Sequence, residues 1–254
     1  MCYTRTCAGA IRAFAIGRRL PYQKGGVIMG EFANIFRNLD WFMLVDILLR
    51  VVPILLSLTV HELAHGLMAF ALGDDTAKQQ RRLSLNPLRH VDPVGFIMLL
   101  VFRFGWAKPV PVNMNNFKRP KFGMALTAFA GPLSNFLFAA LILLFQVPLI
   151  QLWLADGARH YIAVTLFNTA SISVFLGLFN LLPVPPLDGS KIVFSVLGDR
   201  LHAKLMHYER FGIFFLMALI FFTGLTDHLL HAMNVVFEWI RGLTEAPSIW
   251  LFDR

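Results

Sequence analysis

Two long stretches without a charged side chain constrain the fold more than any other feature of this sequence. Gly123–Val147 (25 residues) and Tyr161–Leu182 (22 residues) contain no Asp, Glu, Lys or Arg. A helix that crosses the ~30 Å hydrocarbon core of a bilayer needs roughly 20 such residues. Over the whole chain 57% of residues are hydrophobic and 15% are charged, whereas globular proteins average about 45–50% and about 25%. The sequence therefore predicts an integral membrane protein.

We expect an all-α polytopic membrane protein with about four transmembrane helices and one short β-hairpin. The region 41–72 has a helical pattern whose buried part is about 51–72, and residues 211–226 begin a fourth span. That span has to tolerate Asp227 or end there. Phe96–Phe102 is an apolar run too short to cross as a helix, and the Gly and Pro residues after it favour extended backbone. We therefore predict a membrane-associated hairpin over Phe96–Asn113, packed against the helices.

The chain divides into three predicted segments. These are a basic N-terminal extension (1–40), a membrane-embedded core (41–232) and an interfacial tail (233–254) that carries Trp239 and Trp250. Because Met29 stands where the periodic sequence begins, residues 1–28 are expected to be an upstream extension or the product of a wrongly chosen start. Cys2 and Cys7 lie together near the N-terminus, so no disulfide is expected in the core.

The formal net charge of +8 predicts membrane orientation rather than a nucleic-acid partner. Thirteen Lys and Arg residues lie in segments 73–122 and 183–210, against one in 148–160 and two after residue 232. By the positive-inside rule the basic side faces the cytoplasm. Basic residues next to spans contact lipid headgroups, and no nucleic-acid-binding motif is present. The expected partners are membrane lipids and membrane proteins.

The sequence His61-Glu62-Leu63-Ala64-His65, inside an otherwise apolar run, has the H-E-x-x-H pattern. On a helix, positions i and i+4 project from one face, so both imidazoles can bind one zinc ion, and Glu62 can accept a proton from the attacking water. An ionisable group inside a bilayer costs about 2.5 kcal/mol or more, which favours a shared purpose for all three. The alternative is a hydrogen-bonded interface between helices, although such interfaces usually use small neutral residues.

A catalytic zinc site needs a third protein ligand, and the best candidate is Asp188 in "FNLLPVPPLDGSKI". It follows the 161–182 span on the side of the membrane where the H-E-x-x-H helix ends. Three prolines before it (Pro183, Pro185 and Pro186) interrupt a helix, so the backbone can turn inward. Alone, Asp188 would be read as a turn or helix-end residue; the H-E-x-x-H motif favours a metal ligand.

Other histidines and aspartates have simpler interpretations. Asp227, His228 and His231 could share a helix face and imitate a metal cluster, but they lie at the opposite end of a span, where contact with headgroups is favoured. His90 and Asp92 in "NPLRHVDPVG" are expected to organise a turn, because Asn, Asp and Pro dominate turns.

Together these motifs resemble the site-2 protease family (peptidase family M50) of intramembrane zinc metalloproteases, in particular compact bacterial members without a PDZ or CBS domain. The similar blocks are "TVHELAHGLMAFALGDDTA", "LSLNPLRHVDPVG", "GWAKPVPVN", "AGPLSNFLFA" and "NLLPVPPLDGSKI", which lie in the family's order within about residues 55–195. One departure is "KQQRRLSLNP", where the family tends to have Gly before its Arg.

The resemblance implies one zinc ion per chain, with His61, His65 and Asp188 as its ligands and Glu62 as the general base. It also implies substrate-binding roles for Asn135 in "GPLSN" and for Asn180 and Pro183 in "NLLP". For Asn135 a helix-packing amide is an equal alternative.

The implied reaction is hydrolysis of a peptide bond in or beside a transmembrane segment of a membrane-protein substrate. The implied location is a bacterial inner membrane, with the active site open to the cytoplasm. Two alternatives stay open: a membrane-embedded zinc hydrolase for a lipid or small molecule, and a metal-binding membrane protein without protease activity. Glu62 disfavours the second alternative, because metal binding alone needs no base.

Overall fold

The chain is described here by a computed structural model that covers residues 41–102, 105–153, 156–197 and 212–252. The predicted N-terminal extension (1–40) lies outside these residues. The described part is mainly helical, with the α-helices, in chain order, α1 (Trp41–Ala71), α2 (Thr76–Gln79), α3 (Pro93–Phe102), α4 (Pro120–Trp153), α5 (Asp156–Asn180), α6 (Asp188–Val196), α7 (Gly212–Phe222) and α8 (Leu225–Phe252). Two 3-10 turns, Pro87–Arg89 and Met114–Asn116, lie between them.

Three of these helices are long and apolar enough to cross a membrane. The crossing segments are Leu49–Ala71 in α1, Pro120–Gln146 in α4 and Tyr161–Asn180 in α5. A fourth crossing forms if α7 and α8 act as one bent span, in which their axes meet at 81°. The break contains Gly224 with φ +64°, a left-handed conformation that glycine adopts without steric cost. The predicted helical membrane protein with about four spans is confirmed as a protein with three to four candidate spans.

The predicted β-hairpin is wrong, because its first half forms helix α3. Pro93 begins this helix, where its missing N–H costs no hydrogen bond, and Asp92 Oδ1 accepts a hydrogen bond from the Gly95 amide at 2.8 Å. This cap starts a helix that the apolar run can continue, and the local signal outweighs the Gly and Pro residues downstream. Among the described residues, the extended pairing is limited to one antiparallel bridge between Val91 and Ala107.

Small polar side chains let α1 lie close to its neighbours. Ser57 Oγ lies 2.8 Å from Ser173 Oγ of α5, and both side chains are fully buried. Close approach through small residues is the usual way that membrane helices pack. Helix α4 contacts α5, α6 and α8, and the buried apolar residues shared by α4, α5 and α8 are Ala139, Leu143, Ala170, Val174, Phe237 and Ile240.

Residues 233–252, which the sequence assigns to an interfacial tail, continue helix α8 without a break. Two of the core residues, Phe237 and Ile240, belong to this part of the helix. Trp239 is 67% exposed on its other side. The end of the chain thus contributes to the helical core as well as to the outer surface.

A buried carboxylate joins the end of α1 to the segment before α4. Asp74 is fully buried and accepts hydrogen bonds from the Asn113 amide at 2.7 Å, from Asn116 Nδ2 at 2.6 Å, and from the amide and hydroxyl of Thr76. The two donors from Asn113 and Asn116 fix the position of residues 113–116 relative to the helix that carries the H-E-x-x-H motif.

Candidate metal centre

The nitrogen and oxygen atoms of three side chains meet in a small triangle inside the helical core. Nε2 of His61 lies 3.0 Å from Nε2 of His65, and each of these atoms lies 3.0 Å from Oδ2 of Asp188. All three residues are buried. Among the described residues they form the one group of three or more His, Cys, Asp or Glu side chains close enough to hold a metal ion.

The two histidines reach the triangle because α1 presents them one turn apart on the same face. Asp188 arrives from the turn after α5, which the prolines keep out of a regular helix, and is the first residue of α6. A carboxylate at a helix N-terminus is favoured by the helix dipole. The following Gly189 is needed for this turn, since a Cβ there would lie 2.3 Å from the Leu181 carbonyl oxygen.

The far side of each imidazole ring is held by helix α4. Nδ1 of His65 lies 2.7 Å from the Thr127 carbonyl oxygen, so Nδ1 carries the proton and donates it to that oxygen. Nδ1 of His61 lies 3.1 Å from the side-chain amide of Asn135, whose Oδ1 is buried without a hydrogen-bond partner. Turning this amide by 180° lets Oδ1 accept the Nδ1 proton of His61. In that arrangement both Nε2 atoms keep their lone pairs toward the triangle, as metal-binding histidines require.

The residues fit a zinc ion. Two imidazole nitrogens and a carboxylate oxygen form a donor set typical of catalytic zinc sites, which leave the fourth position open. With zinc–ligand distances of about 2.0–2.1 Å, tetrahedral ligand atoms lie about 3.3 Å apart, close to the 3.0 Å observed here. Three lone-pair atoms this close repel each other unless a cation lies between them. The predicted zinc cofactor therefore agrees with the geometry.

Gly131 makes room for the two rings. A Cβ added at this position would lie 2.4 Å from Cε1 and Nε2 of His65 and 2.7 Å from Cε1 of His61. Distances below 3.0 Å do not occur for real Cβ atoms, so any larger residue would displace the imidazoles. Helix α4 can approach the site only with glycine here.

Asp188 has a positively charged neighbour that favours its ionised form. Burial raises the pKa of its carboxyl group, whereas the charge of Lys191 lowers it. Lys191 Nζ lies 3.4 Å from Oδ1, while Oδ2 faces the histidines. The two carboxylate oxygens thus have separate partners, and one of them is free to bind a metal.

Glu62 lies next to His61 on α1 and is half-buried. Its Oε2 accepts a hydrogen bond from the Val110 amide at 2.9 Å. Val110 belongs to the extended segment after α3, far from α1 in sequence. This contact holds one oxygen of the carboxylate and leaves Oε1 for a second partner.

The remaining candidate residues lie around this centre. Asn135 is fully buried against His61. Asn180, the last residue of α5, donates from Nδ2 to the Leu176 carbonyl of its own helix at 3.0 Å, and Pro183 is exposed in the turn before Asp188. The structure places both on the approach to Asp188; their contact with a substrate stays a prediction.

The histidines and aspartates that the sequence assigns to turns and surfaces are found there. His90 Nε2 donates to the Ser84 carbonyl at 2.7 Å, and Asp92 caps α3. Asp227, His228 and His231 are exposed on the first turns of α8. The turn interpretation of His90 and Asp92 is confirmed.

Four supporting residues were missed by the sequence analysis. Lys191 lies three residues after Asp188 on α6, where charged pairs meet, but that helix was not predicted from the sequence. Gly131 has no distinguishing signal among the other glycines. Thr127 acts through its carbonyl group, which every residue has, and Val110 acts through its N–H, which every residue except proline has, so their side chains carry no information about these roles.

Comparisons with known proteins point to one family. Residues 148–223, which include Asp188, match the model of Peptidase family M50. The protein named "Putative zinc metalloprotease YwhC" from Bacillus subtilis (strain 168) is 39% identical over 190 residues, which cover 72% of this chain and 84% of the relative. "Putative zinc metalloprotease Rip2" from Mycobacterium tuberculosis (strain ATCC 25618 / H37Rv) is 26% identical over 208 residues, covering 78% of this chain and 71% of the relative. No solved structure matches the chain.

The similarity to YwhC extends over most of both chains. Three structural features of this chain accompany that similarity. They are a donor set suited to zinc, a glutamate next to it in sequence, and helices long and apolar enough to cross a membrane. The family expected from the sequence motifs is confirmed: this chain belongs to peptidase family M50.

Proposed function

We propose that this protein is an intramembrane zinc metalloprotease of the site-2 type, which hydrolyses a peptide bond in or next to a transmembrane segment of membrane-protein substrates. The observation that carries the proposal is the position of the metal triangle. His61 and His65 lie within the candidate span Leu49–Ala71, and His65 is six residues, or about 9 Å along a helix, from its end. A centre at this depth favours substrates that lie in the membrane themselves.

The residues divide the chemistry between them. His61, His65 and Asp188 would hold the zinc ion, which supplies Lewis-acid polarisation of the scissile carbonyl and makes water a better nucleophile at neutral pH. Glu62 accepts the proton of the attacking water on Oε1 and returns it to the leaving amine. The Nδ1 hydrogen bonds of both histidines fix the rings so that Nε2 faces the centre.

Substrate contacts are assigned by position. Asn180 and Pro183 border the turn that leads to Asp188, and we assign them to substrate accommodation. The burial of Asn135 against His61 favours a role in orienting that imidazole over the direct substrate contact implied by the family resemblance. The basic segments after α1 and after α5 support an active site that opens to the cytoplasm of a bacterial inner membrane.

The test compares three purified variants in detergent. Wild type should contain about one zinc per chain, as catalytic sites of this type do. His61→Ala should lose most of the zinc. Glu62→Gln should keep the zinc and lose cleavage of membrane-protein substrates, because the amide cannot accept the proton. Glu245→Gln, an exposed glutamate on α8, is the matched control and should behave like wild type.

Substrates are found by comparing membrane-protein fragments in cells that carry wild type or Glu62→Gln. Fragments that end in or beside a transmembrane segment and appear only with wild type support the proposal. Cleavage by Glu62→Gln would contradict the mechanism. Turnover of lipids or small molecules in place of peptide cleavage would favour a membrane-embedded hydrolase of another kind.

A further inference from the structure

A single peptide unit connects a buried arginine to Glu62. The N–H of Val110 donates to Glu62 Oε2 at 2.9 Å, and the C=O of Pro109 accepts from Arg82 Nη2 at 3.2 Å. These two groups belong to the same planar peptide bond, in which the N–H and C=O of a trans peptide point in opposite directions. The guanidinium group and the carboxylate are therefore joined by two hydrogen bonds through one rigid unit.

Arg82 is an unusual residue at this position. It is only 8% exposed, and its other hydrogen bonds also go to backbone carbonyls, those of Arg89 and Lys108. It forms no ion pair with any described residue. A buried arginine is rare unless it is paired with an anion. The route from its charge to an anion runs through the Pro109–Val110 peptide to Glu62.

The sequence around Val110 makes this peptide an effective link. Proline stands on either side, at positions 109 and 111, and each proline fixes its own φ and lacks an N–H. Val110 therefore carries the one backbone donor between Lys108 and Val112, and its side chain is buried. A positive charge on the carbonyl side polarises the peptide and strengthens the hydrogen bond that the N–H gives to the carboxylate.

We propose that Arg82 and the Val110 amide are positioning residues for Glu62. Arg82 fixes the Pro109–Val110 peptide, and the peptide fixes Oε2 of Glu62, so that Oε1 is held toward the reacting water. The proposal rests on the proposed function, because it takes Glu62 as the base. A purely structural alternative is that Arg82 only ties the segments 82–90 and 107–110 together.

The first experiment measures hydrogen–deuterium exchange at the Val110 amide, which needs neither activity nor substrate. Short peptides resolve this amide because its neighbours are prolines. Glu62→Ala should speed its exchange, and Arg82→Met should do so as well, since the peptide loses its anchor. Arg82→Lys, which keeps the charge, should restore part of the protection. Unchanged exchange at Val110 in both Glu62→Ala and Arg82→Met would overturn the proposal.

The second experiment measures kcat, KM and zinc content. Val110→Pro removes the N–H, and Arg82→Met removes the charge. Each should lower kcat by about 10–100-fold, as expected for residues that orient a catalytic group, with KM near wild type and about one zinc per chain. The kcat of the double variant should be no lower than that of the less active single variant, because both changes break one connection. Val112→Pro, whose N–H has no hydrogen-bond partner among the described residues, is the matched control.

The outcomes separate the two proposals. If the effects of Arg82→Met and Val110→Pro multiply in the double variant, or if zinc is lost in parallel with activity, the positioning role is wrong and the structural alternative holds. If wild type cleaves no membrane protein, the proposed function fails, while the exchange experiment still decides the connection to Glu62. Should Arg82→Met not fold, Arg82→Lys replaces it in both experiments, with a smaller expected loss of kcat and of protection at Val110.

Discussion

Gly131 controls the metal centre through the absence of a side chain. Its backbone lies against both imidazoles, and a Cβ would lie 2.4 Å from His65. We expect Gly131→Ala to displace His65 and to lower the bound zinc from about one per chain to a small fraction of that, because a tetrahedral site tolerates errors of only about 0.2 Å in its distances. The measurement is zinc content by mass spectrometry on the purified protein.

The control for this change is Gly242→Ala. Gly242 lies in helix α8, and an added Cβ there has no heavy atom within 4 Å. Alanine is better than glycine in a helix by about 0.8–1.0 kcal/mol, so this variant should keep its zinc and unfold at the same temperature or a higher one. Equal zinc in Gly131→Ala and wild type would show that the rings do not occupy the described positions.

Arg81 is a second position where the backbone decides which residue fits. Its φ is +54°, in the left-handed region that costs a non-glycine residue about 1–2 kcal/mol. The sequence departs from the family at this point, since the family tends to have Gly before its Arg. The departure falls on a conformation that suits glycine, and it leaves Arg82 in place.

At the level of elements, Asp74 holds the end of α1 to the segment before α4. Burial raises the pKa of its carboxyl group, but the hydrogen bonds from Thr76, Asn113 and Asn116 outweigh burial and lower the pKa below the ordinary value of 3.8. The folded state therefore binds this proton more weakly than the unfolded state. The stabilisation is complete above pH 3.8 and is lost as the pH falls through the folded-state pKa.

Asp74→Asn should therefore destabilise the protein at pH 7, by about 1–3 kcal/mol, because donors lose a charged acceptor. The difference in melting temperature between wild type and this variant should shrink as the pH falls below 3.8. Thermal unfolding in detergent across this pH range measures it. Asp75→Asn, at an exposed neighbour, should change stability little. A difference that grows toward low pH would contradict the hydrogen-bond explanation.

The long helices were predictable from the sequence, and the short elements were not. Spans need uninterrupted apolar runs, so α4 and α5 are visible as gaps in the charge pattern. Helix α3 was predicted as a hairpin because the Gly and Pro residues after it were given more weight than Asp92 and Pro93 before it. The connection expected at 148–160 is largely helical, since α4 continues to Trp153 and α5 begins at Asp156.

At the level of the whole molecule, the membrane orientation is an expectation that labelling can test. In a Cys2→Ser, Cys7→Ser background, Leu88→Cys (78% exposed) and Asp156→Cys are expected on opposite sides of the membrane, because Leu88 precedes the span in α4 and Asp156 follows it. An impermeant maleimide applied to spheroplasts should label Asp156→Cys and leave Leu88→Cys unlabelled, because the basic segments stay in the cytoplasm. Inverted vesicles should give the reverse result. Labelling of Leu88→Cys in spheroplasts would mean that the orientation is opposite.

The centre itself combines what a sequence can reveal with what it cannot. The proposed ligands and base are His, Asp and Glu residues, whose side-chain chemistry is known from the sequence alone. The motif spacing places two of the ligands, His61 and His65, on one helix face. Asp188 joins them only because α1 and α5 end on the same side, which the span count implies. Thr127 and Val110 contribute backbone hydrogen bonds, and Gly131 contributes the space beside the two rings. These contributions depend on backbone positions, which are set by packing across the whole fold.

The two histidines differ in how their rings are held, and this has a consequence for the substitutions that each anchor tolerates. His65 is anchored by a main-chain carbonyl of α4, so residue 127 can be exchanged for another without removing that anchor. His61 is anchored by a side chain, Asn135, which has few chemical substitutes. Changing the side chain at residue 127 therefore leaves the anchor of one ligand in place, whereas changing Asn135 removes the anchor of the other, although both ligands serve the same metal.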